Sequence, residues 1–145
     1  PEASPGELLS RMQSDFYYRA PATLLAELAQ AAGKSVRLYD FQWRSPQCAG
    51  RMGAAHAMEL PFVFNTLSSS NGLTFAGPAA PQALADRLHP WWAEFARSGH
   101  CSDWPAWTPA QRGRMGLDTQ TTWQAEPLDL ALPLWRQVFA KPLPS

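Results

Sequence analysis

The sequence predicts an α/β fold, and three consecutive segments support this prediction. Apolar residues recur at helical spacing over residues 21–32, and an alternating, strand-like segment follows over residues 36–43. A loop that carries His56 comes next. Open α/β sheets bind ligands in the loops that follow the carboxyl ends of their strands. The loop with His56 is therefore the candidate functional centre.

The first helix is predicted over residues 21–32. Residues 1–6 indicate an irregular lead-in, and residues 7–12 indicate a short helical turn. Pro21 suits the first turn of a helix, and Gly33 suits its end. The apolar positions of this helix are Leu24, Leu25, Leu28, Ala29 and Ala32.

The strand over residues 36–43 ends before Pro46, and the histidine loop follows it. Gly50 and Gly53 flank a run of small residues, where the backbone can turn tightly. A histidine on such a loop can accept and return a proton near neutral pH. A lone histidine beside an apolar run is also often a packed structural residue, so both interpretations of His56 stay open.

Residues 58–64 form a dense apolar block that is either plain core or the wall of a site. Glu59 lies inside this block, and we expect it to support the loop, by satisfying buried backbone donors or by holding the loop near His56. Residues 65–77 contain a Ser-Ser-Ser-Asn-Gly run, which predicts a surface loop.

The second half of the chain supplies two further helices and a second strand. A helix is predicted over residues 81–98, with Pro90 expected to kink it. A strand is predicted over residues 112–117. A closing helix is predicted over residues 128–139, weakened by Pro133.

Composition predicts a single soluble domain over residues 1–145. Twelve basic and twelve acidic residues balance to a net charge of zero, which gives no electrostatic basis for binding nucleic acid or an anionic membrane. No apolar run is long enough to span a bilayer, and no signal-peptide pattern is present, so the compartment stays open. Fourteen prolines predict many short elements and long ordered loops.

The remaining chemistry-bearing residues suggest neither a cofactor nor a metal site. His89 and His100 lack a second type of ligand at metal spacing, so we interpret both as surface or loop residues. Cys48 and Cys101 could form a disulfide, but free thiols are favoured. A thiol hydrolase that uses Cys48 with His56 is a further alternative, although Cys48 lacks any signature context.

Five segments, taken in order, resemble the C-terminal part of the type B carboxylesterases. These are large α/β-hydrolases that include bacterial para-nitrobenzyl esterases, animal carboxylesterases and cholinesterases. The segments are MQSDFYYRAP with Asp15, VRLYDFQWRSP, GAAHAMELPFVF, ALADRLHPWWAEFARSG and WPAWTPAQRGRMGLD. The most specific piece is the pattern G-x-x-H-x-x-E-x-x-F/Y-V-F, matched by Gly53, His56, Glu59, Phe62, Val63 and Phe64.

This resemblance implies a partial α/β-hydrolase fold, namely the last strands of the sheet with flanking helices and long proline-rich loops. It places His56 at the family's catalytic histidine, with Glu59 and Asp15 as supporting residues and no cofactor. The family's serine lies in an upstream G-x-S-x-G elbow, and its acid also lies upstream. No G-x-S-x-G occurs in the 145 residues. We therefore expect the histidine-bearing part of an ester hydrolase, acting on small esters only when completed.

The alternative is a free-standing, non-catalytic module that self-associates or binds a small apolar ligand. The strand over residues 36–43 has only the strand over residues 112–117 as an available neighbour. An unpaired strand edge and an exposed apolar face would favour association. The sequence therefore predicts a twofold dimer that pairs strand 36–43 or covers its face.

Overall fold

The computed structural model describes residues 3–125 and 131–140. Six α-helices, one π-helical turn and three strands make up this part of the chain. In order they are α1 (Pro5–Ser14), the π-turn (Asp15–Arg19), α2 (Ala20–Ala31), β1 (Tyr39–Phe41), α3 (Leu60–Val63), α4 (Ser70–Phe75), α5 (Gln82–Ser98), β2 (Arg114–Leu117), β3 (Thr122–Gln124) and α6 (Leu132–Phe139).

The three strands form one sheet in the order β1-β2-β3. β1 and β2 are parallel, with Asp40 opposite Gly116, whereas β2 and β3 are antiparallel. Both predicted strands are found but are shorter than predicted, since only Tyr39–Phe41 and Arg114–Leu117 pair as strands. β3 was not predicted, because three residues are too few to show a period.

Gly116 allows two glutamine side chains to meet over β2. Gln42 Nε2 donates to Gln124 Oε1 at 3.1 Å, which joins the chain after β1 to β3. A Cβ atom at Gly116 would lie 2.7 Å from Gln124 Nε2 and 2.8 Å from Gln42 Oε1. A side chain at this position would therefore displace the link across the sheet.

The helical turn predicted over residues 7–12 is found as part of the longer helix α1, which has ten residues. Because α1 begins at Pro5, residues 5 and 6 are not part of an irregular lead-in. Ser4 and Glu7 make a capping box: Glu7 N donates to Ser4 Oγ at 3.3 Å, and Ser4 N donates to Glu7 Oε2 at 2.8 Å. The π-turn then joins α1 to α2 directly. Since Pro21 cannot donate to the carbonyl of Tyr17, a wider turn just before it lets the chain stay helical.

Residues 65–77, predicted as a surface loop, contain the six-residue helix α4. Ser69 caps this helix by accepting a hydrogen bond from Gly72 N at 3.0 Å. A Cβ atom at Gly72 would lie 2.4 Å from the Thr66 carbonyl oxygen and 2.6 Å from that of Leu67. The absence of a side chain at Gly72 thus allows this tight packing.

Helix α5 matches its predicted span to within one residue and continues through Pro90. It ends at Gly99, whose φ of 71° lies in the left-handed region that favours glycine. The core packs α5 against α3 and the sheet. Its buried residues are Trp43, Met58, Phe62, Leu67, Ala76, Leu84, Ala85, Leu88, Trp91, Cys101, Trp104, Met115 and Leu117.

Helix α6 occupies Leu132–Phe139, and residues 128–130 of the predicted closing helix lie outside the described residues. Pro133 lies in the first turn of α6, where a proline is tolerated, and not in the helix interior as the predicted bounds implied. Glu27 of α2 binds both Arg112 and Arg136 and so connects α2 with α6.

Cys48 is exposed and Cys101 is buried, and both are free thiols. In residues 3–125 and 131–140 there is no group of three or more His, Cys, Asp or Glu side chains that could hold a metal ion. None of the helices in these residues combines the length and the apolar character that crossing a membrane requires.

Candidate functional site

The loop that carries His56 is fixed on both sides by the core. Upstream, Ser45 N donates to the Gly53 carbonyl at 3.0 Å, which joins this loop to the segment after β1. Downstream, Met58 and Phe62 are fully buried. Between these anchors Ala57 has a φ of 67°, an uncommon value for a residue with a side chain. The loop thus presents His56 from a constrained backbone.

The imidazole of His56 stacks on the phenol ring of Tyr18. The ring centroids are 4.9 Å apart, and the ring planes differ by 21°. His56 is exposed. Neither ring nitrogen makes a hydrogen bond or an ion pair with any part of the chain that the structure describes. The imidazole is therefore oriented by a flat contact while both nitrogens stay available.

His56 and Glu59 both line a cleft of about 1090 Å³. The π-turn and α2 also line this cleft, and β1 contributes Tyr39, Asp40 and Phe41. Asp15 does not line this cleft. Two of the three predicted site residues therefore share one space.

Glu59 is partly buried at the start of α3. Its backbone carbonyl accepts from Phe62 N at 3.0 Å and Val63 N at 2.9 Å. Its carboxylate accepts no hydrogen bond from the described residues, so the predicted contact with buried backbone donors is not found there. Burial raises the pKa of Tyr39, and the negative charge of Glu59 adds to this increase.

Asp15 belongs to an ion-pair network that sequence reasoning missed. Arg19 lies 3.6 Å from Asp15 and 3.3 Å from Asp40. It therefore connects the π-turn with β1, and Tyr18 is the residue next to it. Asp15 and Arg19 are four residues apart, a spacing that favours an ion pair within a helix, so the first pair could have been predicted from the sequence. The second pair depends on tertiary placement.

Residues 2–135 match the model of the "Carboxylesterase family". The chain is 31% identical over 121 residues to the para-nitrobenzyl esterase of Bacillus subtilis (strain 168), which covers 80% of this chain and 24% of that protein. It is 30% identical over 99 residues to the phenmedipham hydrolase of Pseudarthrobacter oxydans, which covers 66% of this chain and 20% of that protein.

Among solved structures, a carboxylesterase of Geobacillus stearothermophilus superposes with a TM-score of 0.76 at 25% identity. The match covers 93% of this chain and 29% of that one. This likeness confirms the predicted fold class, a partial α/β-hydrolase fold with a small sheet and flanking helices. The chain spans between a fifth and a quarter of the length of the two curated relatives.

Proposed function

Because the chain belongs to the carboxylesterase family, we propose that it is the C-terminal, histidine-bearing part of a carboxylic ester hydrolase. His56 is the catalytic histidine in this proposal. The observation that carries it is the placement of His56: an exposed imidazole at a cleft, stacked on Tyr18, with no hydrogen-bond partner in the described part of the chain.

The chemistry assigned to His56 is general acid–base catalysis. The imidazole accepts the proton of a serine hydroxyl as that oxygen attacks the ester carbonyl, and it later returns the proton to the leaving alcohol. A neutral imidazole needs one free nitrogen for this step and a carboxylate at the other nitrogen to orient it. The serine and the acid are supplied from outside the 145 residues in this proposal, since no G-x-S-x-G motif occurs within them.

The supporting roles differ between the two acidic residues. Glu59 lines the same cleft as His56 and contributes negative charge there. Asp15 acts at a distance: it holds Arg19, which neighbours the Tyr18 ring under the imidazole. The substrate class we propose is a small carboxylic ester. This fits the names of the para-nitrobenzyl esterase and the phenmedipham hydrolase.

Two measurements test this proposal. The 145-residue chain and its His56→Ala variant should hydrolyse para-nitrophenyl acetate and butyrate no faster than buffer. A chimera in which this chain replaces the matching part of the Bacillus subtilis para-nitrobenzyl esterase should hydrolyse both esters. His56→Ala in that chimera should lower kcat by about 10⁴-fold or more, since triad members act together, whereas His100→Ala, which changes an exposed histidine, serves as the matched control.

Two results would contradict the proposal. Activity of the isolated chain that disappears in His56→Ala would show a nucleophile within the 145 residues. A chimera that keeps its activity in the His56→Ala variant would remove the role of His56.

A second candidate function is a non-catalytic module that forms a twofold dimer. The open edge of β1 favours this function. Leu38 O and Gln42 N form backbone hydrogen bonds with β2. Because backbone groups alternate in direction along a strand, the backbone N–H and C=O groups of Tyr39 and Phe41 point to the other side, away from β2. No described strand pairs with that edge. Helices α1 and α2 add exposed apolar side chains, namely Leu8, Leu9, Met12, Leu25 and Leu28. A second copy that pairs with β1 would cover part of this surface.

A further inference from the structure

The cleft of His56 is basic, although the chain as a whole carries no net charge. Twelve basic and twelve acidic residues balance over the 145 residues. The charged residues that line the cleft are five arginines and two carboxylates, namely Arg19, Arg37, Arg44, Arg51, Arg114, Asp40 and Glu59. An excess of one sign of charge along a cleft raises the local concentration of ligands of the opposite sign. The cleft therefore favours ligands that carry negative charge.

Three of these arginines are engaged by the protein itself or are closed to a ligand. Arg19 lies 3.3 Å from Asp40. Arg37 donates a hydrogen bond to Ser35 Oγ at 2.8 Å. Arg114 is buried, so little of its side chain is open to a ligand. The accessible positive charge of the cleft therefore lies elsewhere in its lining.

Arg44 and Arg51 supply this accessible charge, because both side chains are exposed. Arg51 Nε donates to the Cys48 carbonyl at 3.3 Å. Within residues 3–125 and 131–140 neither arginine forms an ion pair, and the guanidinium of Arg44 makes no hydrogen bond. Hydrogen bonds with Ser4 lower the pKa of Glu7, and the charge of Arg44 adds to this lowering. Glu7 stays bound to Ser4, so Arg44 keeps its donors available.

A backbone bridge holds Arg44 beside the loop that carries His56. Ser45 N donates to the Gly53 carbonyl at 3.0 Å. A Cβ atom at Gly53 would lie 3.5 Å from Arg44 Nη2 and 3.7 Å from Arg44 Cζ. The guanidinium of Arg44 therefore lies beside the backbone of Gly53, three residues before His56. Gly53, Arg44 and His56 all line the same cleft.

A carboxylate is the ligand group that such a guanidinium binds best. The planar guanidinium can donate two parallel hydrogen bonds to the two carboxylate oxygens. Arg51 adds a second positive charge along the same cleft. Glu59 also lines the cleft, and its carboxylate has no cationic partner among the described residues. One carboxylate does not offset the charges of Arg44 and Arg51, so the attraction for an anion remains.

We propose that the ester cleaved with the help of His56 carries a free carboxylate, which Arg44 binds while Arg51 adds attraction. This inference rests on the proposed ester hydrolysis, and it narrows the substrate class from small esters to monoesters of dicarboxylic acids. Hydrolysis adds water across the bond between the acyl carbon and the alcohol oxygen, and so releases the alcohol and a dicarboxylic acid. Arg44 is thus a binding residue that selects the acyl part of the substrate.

The direct test compares binding of monomethyl adipate and methyl hexanoate to the isolated 145-residue chain at pH 8. The two esters have the same length, and the carboxylate of the first is a methyl group in the second. The ring-proton NMR signals of His56, identified by their absence in His56→Ala, report binding in the cleft. Monomethyl adipate should bind at least about tenfold more tightly, the effect of one charge-assisted hydrogen bond. This preference should decrease at high salt.

Hydrolysis by the chimera with the Bacillus subtilis enzyme tests the same preference in a complete site. The value of kcat/KM should be at least about tenfold higher for mono-4-nitrophenyl adipate than for 4-nitrophenyl hexanoate, after subtraction of hydrolysis in buffer. Loss of hexanoate hydrolysis in His56→Ala tests the proposed function, whereas the ratio between the two esters tests the role of Arg44. Equal values for the two esters in an active chimera would overturn only the substrate assignment.

Variants locate the preference at Arg44. Arg44→Gln should remove most of the preference for the anionic ester, and Arg51→Gln should reduce it. Arg97→Gln removes the same charge from an exposed position of α5 outside the cleft and should leave the preference unchanged.

The proposal is overturned if the wild-type chain shows no preference, if neither ester saturates at millimolar concentration, or if Arg44→Gln keeps the full preference. A preference in the isolated chain that is absent from an active chimera would also overturn it, because the upstream part would then cover the arginines. The binding comparison in the wild-type chain needs neither an active chimera nor a folded variant.

Discussion

The imidazole of His56 lies nearly parallel to the ring of Tyr18, at 4.9 Å between centroids and 21° between planes. Tyr18 belongs to the π-turn between α1 and α2, whereas His56 belongs to the loop before α3. The wide turn before Pro21 therefore helps decide which ring lies beneath the histidine. The contact predicts that Tyr18 positions His56.

Replacing Tyr18 tests this positioning role. Tyr18→Ala should move the His56 ring-proton resonances downfield, toward the values of an unstacked histidine, because the shielding by the facing ring is lost. Tyr18→Phe keeps the ring and should keep the shift. One-dimensional proton NMR, with the histidine signals assigned from His56→Ala, makes the measurement. Equal shifts in Tyr18→Ala and in the wild-type chain would show that the rings do not stack in solution.

Tyr39 predicts a change of stability at alkaline pH. Partial burial and the charge of Glu59 raise the pKa of Tyr39, whose side chain stays 38% exposed, above the usual value of about 10. The contribution of Tyr39 to the free energy of unfolding is therefore fully present below pH 10. It is lost as the pH rises through the pKa of Tyr39 in the folded chain, since the unfolded chain gives up this proton first. Urea unfolding at pH 8 and pH 11 should show a smaller loss of stability for Tyr39→Phe than for the wild-type chain.

Absorbance at 295 nm gives an independent check. The chain has three tyrosines. The absorbance transition that occurs at the highest pH in the wild-type chain should be absent in Tyr39→Phe. Glu59→Gln should lower the pKa of this tyrosine by removing the smaller of its two causes, whereas Asp86→Asn should not. A late titration that survives Tyr39→Phe would assign it to another residue.

The two thiols should react very differently. Cys101 is buried, and burial together with the charge of Glu94 raises its pKa. Iodoacetamide at neutral pH should therefore label Cys48, which is exposed, and should label Cys101 only after unfolding. Peptide mass spectrometry distinguishes the two sites. Labelling of Cys48 much faster than a free thiol, and slowed by His56→Ala, would instead support the thiol-hydrolase alternative.

The open edge of β1 predicts a dimer. Light scattering should show twice the monomer mass at high micromolar concentration. Tyr39→Pro removes one free N–H from that edge and should favour the monomer, whereas Tyr39→Phe keeps the N–H and should stay dimeric. A wild-type chain that remains monomeric at these concentrations would contradict self-association through this edge.

The elements that sequence reasoning found are those with a long apolar period and clear ends. Residues 21–32 and 81–98 both show this, and α2 and α5 begin and end within one residue of the predicted bounds. Short helices whose first residue is fixed by a capping side chain were missed. The start of α1 could have been predicted, because Ser4 and Glu7 have the spacing of a capping box. The loop before α3 was predicted as the site, because glycine and small residues surround His56. Its contact with Tyr18 depends on tertiary packing and leaves no local pattern.

Glu27 accepts from Arg112 and Arg136 and so joins α2 to both the segment before β2 and helix α6. Its side chain is 22% exposed, which makes these pairs less screened than typical surface pairs. Glu27→Gln should lower the free energy of unfolding by about 1 kcal/mol at low salt, measured by urea unfolding, and by less at high salt. Asp86→Asn, which removes an exposed charge that makes no ion pair within the described residues, is the control. A double-mutant cycle with Arg136→Gln should give a positive coupling energy, and additive effects would show that the pair contributes nothing.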